Sequence, residues 1–162
     1  MNHSPHHSPG RSLGRQLAWT SKATRAEFDA RLSEVGGSLT TFIVLRLADE
    51  APGGLELSQR ELAGRMGVEG PTMVRHLDRL EKEGLIQRRR DTNDRRVTRI
   101  TVTPAGSVLL GALREVADAM DEEIETLLGP ETYVAIAAAL ERLREHMTRL
   151  AGERKANAHA TL

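Results

Sequence analysis

Between Ser58 and Gly106 the hydrophobic rhythm changes once, and that change limits the folds open to this chain. Ser58 and Glu61 have the S-x-x-E spacing of a capping box, in which each side chain satisfies the other residue's orphan backbone N–H. A helix therefore starts there, with Leu62, Ala63 and Met66 inward. Gly67 to Gly70 makes a tight turn, Pro71 stands where a first-turn proline is tolerated, and Val74, Leu77 and Leu80 predict the buried face of a second helix. Two short helices about a glycine-containing turn make a helix-turn-helix. After Gly84 the period falls toward two: LIQRRR and VTRITVT are rich in β-branched residues, and the Asp-Thr-Asn-Asp between them is turn chemistry. A β-hairpin with a charged tip follows.

Helical segments flank this unit. Leu13, Leu17, Phe28, Leu32 and Val35 fall at helical spacings, so a long first helix runs to Gly36-Gly37. Ser38 caps a second helix that is apolar nearly all round, as for a segment buried on several sides. Pro52 and two glycines break it, leaving Leu55 to Leu57 as a short strand. Pro104 and Gly106 open a long helix that Gly129-Pro130 stops, and a last helix carries Tyr133, Ile136, Leu140, Leu143, Met147 and Leu150. That is more apolar surface than a small lobe covers alone, so self-association is expected. The expectation is a mostly α fold with a small β-hairpin wing, an α+β arrangement of a winged helix-turn-helix lobe (38–103) and a helical dimerisation lobe (12–35 and 105–150). Residues 11–150 form one subunit, with a disordered tail at 1–10 and a loose tail at 151–162.

Lys plus Arg and Asp plus Glu are both 23, so any polyanion footprint must be local. The absence of cysteine removes disulfides, thiolate zinc sites and thiol-based oxidant sensing. His3, His6 and His7 sit in a polar segment without a second shell, so no metal site and no cofactor is expected. No stretch approaches the roughly 20 apolar residues of a spanning helix, and MNHSPHHSPGRS lacks the apolar core of a secretory signal, which predicts a cytoplasmic protein with no membrane partner.

On the helix after Pro71, Thr72, Arg75 and Arg79 project from the side opposite the buried series, with Met73 and His76 at its edges. A helix fits the DNA major groove, where an arginine fork takes guanine O6 and N7 together and Thr or Met methyl groups meet the thymine methyl. Arg75 is the leading base contact. The plainer reading is that Arg75 and Arg79 only pair with Asp78 and Glu83 on a solvated face. The hairpin decides between them: Arg88, Arg89, Arg90, Arg95, Arg96 and Arg99 oppose only Asp91 and Asp94. Arginine at a protruding tip suits a narrow minor groove, with Arg95 the best candidate and Arg96 beside it. Asp91 and Asp94 belong to the turn and to ion pairs that hold an arginine such as Arg96. The acidic excess lies elsewhere, between 114 and 131, so that part should point away from DNA.

The segment GVEGPTMVRHLDRLEKEGLIQRRRDTNDRRVTRITVTPAG resembles the MarR-type regulators, with the SlyA branch nearest, in its recognition helix, Gly-Leu-Ile lead-in, D-x-x-D-R-R wing tip and closing Thr-x-x-Gly. The resemblance spans about Leu13 to Met147. It implies a homodimer whose first and last helices interleave, with two lobes on successive major grooves of a pseudopalindrome. Thr72, Arg75 and His76 match positions facing the major groove, Arg95 matches the minor-groove arginine, and Ser58 and Pro71 match positions near the backbone. Glu69 and Gly70 before Pro71 depart from many members, which bears on the bases read at that edge. Many members respond to small phenolic or aromatic ligands; Trp19, Phe28, Thr40, Val44, Leu109 and Leu113 are the candidates to line such a pocket, although apolar residues at helical spacing are more often plain core. The implied function is a double-stranded DNA-binding repressor.

Two other classes compete. The winged helix also serves as a protein-interaction module, which the arginine wing argues against. An enzyme is the weakest reading: no Ser/His/Asp arrangement, phosphate loop or metal spacing is present, and His76 and His146 lie on separate helices.

Overall fold

The computed structural model describes residues 12–51, 56–92 and 94–160, with side chains to Arg154. Its elements run α1 (Leu13–Glu34), α2 (Leu39–Asp49), β1 (Leu57–Ser58), α3 (Gln59–Met66), α4 (Gly70–Lys82), β2 (Ile86–Arg90), β3 (Thr98–Val102), α5 (Pro104–Leu128) and α6 (Pro130–Ala160). This is the expected mostly α fold with a small antiparallel sheet. The chain divides into two units, the first ending at Ala117 and the second beginning at Asp118.

In the first unit the strands are ordered β1-β3-β2. β2 and β3 form the hairpin, with Arg88 opposite Ile100, and β1 adds Leu57 opposite Ile100 on the other edge. Ile86 and Ile100 point into a core that also holds Leu45, Leu62, Leu77, Leu80 and Leu110. α2 is buried on several sides, as its composition requires: Thr41, Phe42, Val44 and Leu45 are all covered. Phe28 of α1 meets Phe42 edge to face at 5.9 Å.

Each turn has a local cause. Gly67 ends α3 and Gly84 follows α4 with φ of 64° and 72°, left-handed values that suit glycine. Ser58 Oγ accepts from Glu61 N at 3.2 Å, and Ser58 N donates to Glu61 Oε2 at 2.7 Å, completing the capping box. Thr103 joins the wing to α5: its hydroxyl donates to the Gly84 carbonyl at 2.6 Å and accepts from Gly106 N at 3.0 Å. Gly106 is pressed against that junction, since a methyl there would lie 2.1 Å from the Leu85 carbonyl oxygen.

In the second unit no described residue of α6 is buried, and Ile136, Leu140, Met147 and Leu150 are exposed at helical spacings of four, seven and three. α6 runs on to Ala160, which corrects the loose tail expected from 151. Glu153, Arg154, Lys155 and the alanines at 156, 158 and 160 are good helix formers, and Gly152 alone does not stop them. Leu55 and the tail at 1–10, with His3, His6 and His7, lie outside the described residues.

The capping box gives a testable stability contribution. Hydrogen bonds from the Ser58 hydroxyl and backbone hold the Glu61 carboxyl below its usual range. Its folded value lies below its unfolded one, so the stabilisation is full above the ordinary glutamate range and is lost as pH falls through the depressed value. Ser58→Ala should cost about 1 kcal/mol near neutrality. In thermal melts the gap to wild type should narrow on acidification, and a gap independent of pH would contradict the box.

Candidate nucleic-acid interface

α4 is sharply amphipathic, and its buried register is Met73, Leu77 and Leu80. Met73 is 0% exposed and Val74 only partly buried, which corrects two expectations: Met73 is core, unable to meet a base, and Val74 stands at the edge. Thr72 and Arg75 are exposed, and His76 is half-buried beside them. The side chains of Thr72, Arg75 and His76 have no hydrogen-bond or ion-pair partner among the described residues. Pro71 is exposed in the first turn, where its missing N–H leaves no donor unsatisfied.

Two more expected contacts are engaged within the protein. Ser58 is 9% exposed and its hydroxyl serves the capping box, so its position near the DNA backbone is corrected to a buried cap. Arg79 is exposed but paired, as the plainer reading has it for Glu83: Nη2 donates to Thr41 Oγ1 at 3.0 Å and Nη1 to Glu83 Oε1 at 3.3 Å.

The wing sorts its six arginines. Arg88 donates through Nε to Glu81 Oε2 at 2.9 Å and pairs with Asp78 at 2.7 Å, fastening β2 to α4. The Arg88 hydrogen bonds draw the Glu81 carboxyl below its usual range despite partial desolvation. Arg99 donates to Asp91 Oδ2 at 2.7 Å and to the Glu56 carbonyl at 3.0 Å, and lies 3.5 Å from Glu61. Asp91 Oδ1 accepts from Asp94 N, which folds the turn. Asp94 takes the backbone and guanidinium of Arg96, and the backbone bond is the largest cause of its lowered pKa. Arg89 donates to Gln87, and Arg90 to the Arg95 carbonyl. Arg95 is exposed at the tip, its guanidinium unpartnered among the described residues. The site thus brings together an exposed Thr72/Arg75 face on one helix and an unpaired Arg95 on the wing beside it in sequence.

Four of the six ligand-pocket candidates, Phe28, Val44, Leu109 and Leu113, lie in or against one core. Val44 and Leu113 are 0% exposed and belong to the core, Leu113 packing against the Gly37 backbone, so neither lines an open pocket. Phe28 and Leu109 pack against that core from its margin. Thr40 is half-buried, and Trp19 is 61% exposed under the Arg15 guanidinium.

A family model described as MarR family matches residues 38–98, the span of α2, the helix-turn-helix and most of the wing. Transcriptional regulator PA3341 is 35% identical, with a TM-score of 0.71 covering 85% of this chain and 99% of its own. The chain belongs to the MarR family. The transcriptional repressor CouR, solved on a 23-mer DNA duplex, superposes with a TM-score of 0.78 at 26% identity over 88% of this chain and 99% of its own. NadR, solved with 4-hydroxyphenylacetate, does so with 0.67 at 26% identity over 88% and 97%. As a MarR-family protein the chain is a DNA-binding transcriptional regulator.

Within this MarR fold, Arg60 and Arg65 on α3 are exposed cations beyond those expected from the sequence. The signal was available: the first helix of a helix-turn-helix crosses the DNA backbone, and both arginines lie outside its buried Leu62/Ala63 face. Among the described residues no helix is long and apolar enough to cross a membrane, and no group of three or more His, Cys, Asp or Glu gathers as for a metal.

Proposed function

We propose that this protein is a cytoplasmic homodimeric repressor that binds a pseudopalindromic operator, reads the major groove with α4 and enters the minor groove with the wing. The observation that carries the reading is the sorting of charge. Among the described residues Arg75 and Arg95 are left exposed and unpaired, while Arg88, Arg96 and Arg99 are held by carboxylates. An unpaired guanidinium on a helix of groove width, and another at a hairpin tip, are what base and minor-groove contact require. Thr72 and His76 flank Arg75, Pro71 faces the backbone, and Arg96, 92% exposed though bonded to Asp94, supports Arg95. The uncovered apolar series on α6 supports a second copy as its cover. CouR on its duplex supports the DNA partner.

NadR with its phenolic acid supports a small aromatic ligand as effector, and Trp19, Phe28, Thr40 and Leu109 remain the candidates to meet it. The ligand releases the operator by shifting the two lobes away from the roughly 34 Å repeat of successive major grooves. Catalysis has no part in this reading.

Binding of the purified protein to duplex DNA should weaken steeply with salt, because each phosphate contact releases counterions. Arg95→Ala should weaken binding to most sequences by a similar factor and lower the slope of log K against log salt by up to about 0.9. Affinity insensitive to salt would favour the protein-interaction reading instead. Genome-wide recovery of bound fragments then yields the operator.

A further inference from the structure

Arg79 lies one turn beyond Arg75 on α4 and reaches back to the capped start of α2. Its acceptor there, Thr41, is 1% exposed. The Thr41 hydroxyl sits 2.9 Å from Ser38 Oγ, which also accepts from Thr41 N, so the group that Arg79 grips is itself fixed. Asp29 of α1 anchors the same end by accepting from Leu39 N at 2.7 Å. The other arm of the guanidinium is held by Glu83, so the planar fork is occupied at both ends.

Resting on the reading of α4 as the groove helix, we infer that Arg79 is a positioning residue, which sets α4 against the Asp29/Ser38-capped end of α2 through Thr41 and makes no contact with DNA. A rotation of α4 about its axis moves Arg75 relative to the base edges, and the Arg79–Thr41 bond resists that rotation. The α1–α2 junction therefore bears on which sequence is preferred without touching a nucleotide.

The test is equilibrium binding of the full-length protein to its recovered operator and to a scrambled duplex at several salt concentrations. Arg79→Ala and Thr41→Val should each weaken operator binding about fivefold, the scale of one partly exposed hydrogen bond. Their double variant should lose no more than the worse single, because both remove one link. The salt slope should stay at the wild-type value, discrimination against the scrambled duplex should fall, and Thr41→Ser, which keeps the hydroxyl, should bind as wild type. A direct phosphate contact would appear instead as a slope lowered by about 0.9 in Arg79→Ala with Thr41→Val unaffected, and would overturn the inference. So would losses that add, or variants that melt earlier but bind normally. Arg75→Ala is the control. If it weakens binding while Arg79→Ala and Thr41→Val do not, this inference alone falls; if it too is silent, the reading of α4 falls and takes the inference with it.

Discussion

Arg75→Ala is expected to cost about 1–3 kcal/mol of operator binding and to relax preference at one position of each half-site. The exposed α4 face presents one arginine with no intramolecular partner among the described residues, so no described group competes for its five donors. A bidentate pair with guanine is worth that amount, and its loss falls on the cognate base alone. Competition binding against a set of single-base operator variants measures this directly. If all variants lose affinity equally, Arg75 is a phosphate contact; if none does, α4 does not read bases.

Gly106→Ala is expected to destabilise the protein by about 3 kcal/mol, at the upper end for overpacking. The new methyl would meet a backbone oxygen at 2.1 Å and Val102 Cγ1 at 2.8 Å, and a carbonyl in the wing's lead-in cannot rotate away as a side-chain tip can. Alanine's better helix propensity returns at most about 1 kcal/mol, so the clash decides the sign. Gly64→Ala is the matched contrast, because nothing lies within 4 Å of a methyl there. It should stabilise by about 0.5–1 kcal/mol. Melting curves at equal protomer concentration should move in opposite directions, by roughly 10 °C downward for Gly106→Ala. A neutral Gly106→Ala would mean that α5 and the wing shift apart freely.

Most of the reading lobe was visible in the order of residues because its signals are local. The Ser58–Glu61 box, the left-handed glycines and the Asp-turn-Asp hairpin each lie within a few positions of their partners. The register of α4 was harder. Val74, Leu77 and Leu80 are spaced by threes, and at 100° per residue such a row drifts 60° per step; Met73, Leu77 and Leu80 hold one face, and the core follows them. The arginines could be sorted only in part: Arg96 lies two positions from its Asp94, but the carboxylates that take Arg88 come from another element. The Arg79 partner is equally remote, since Thr41 stands 38 positions away. Pocket residues were least readable, because helical spacing marks Val44 and Leu113 equally as lining or as core.

Arg88 has one further consequence. By binding Asp78 and Glu81 it makes the hairpin and the groove helix a single stiff caliper. On the proposed contacts, the number of base pairs between the base met by Arg75 and the minor groove entered by Arg95 should then be the same in every half-site, which alignment of the recovered operators measures.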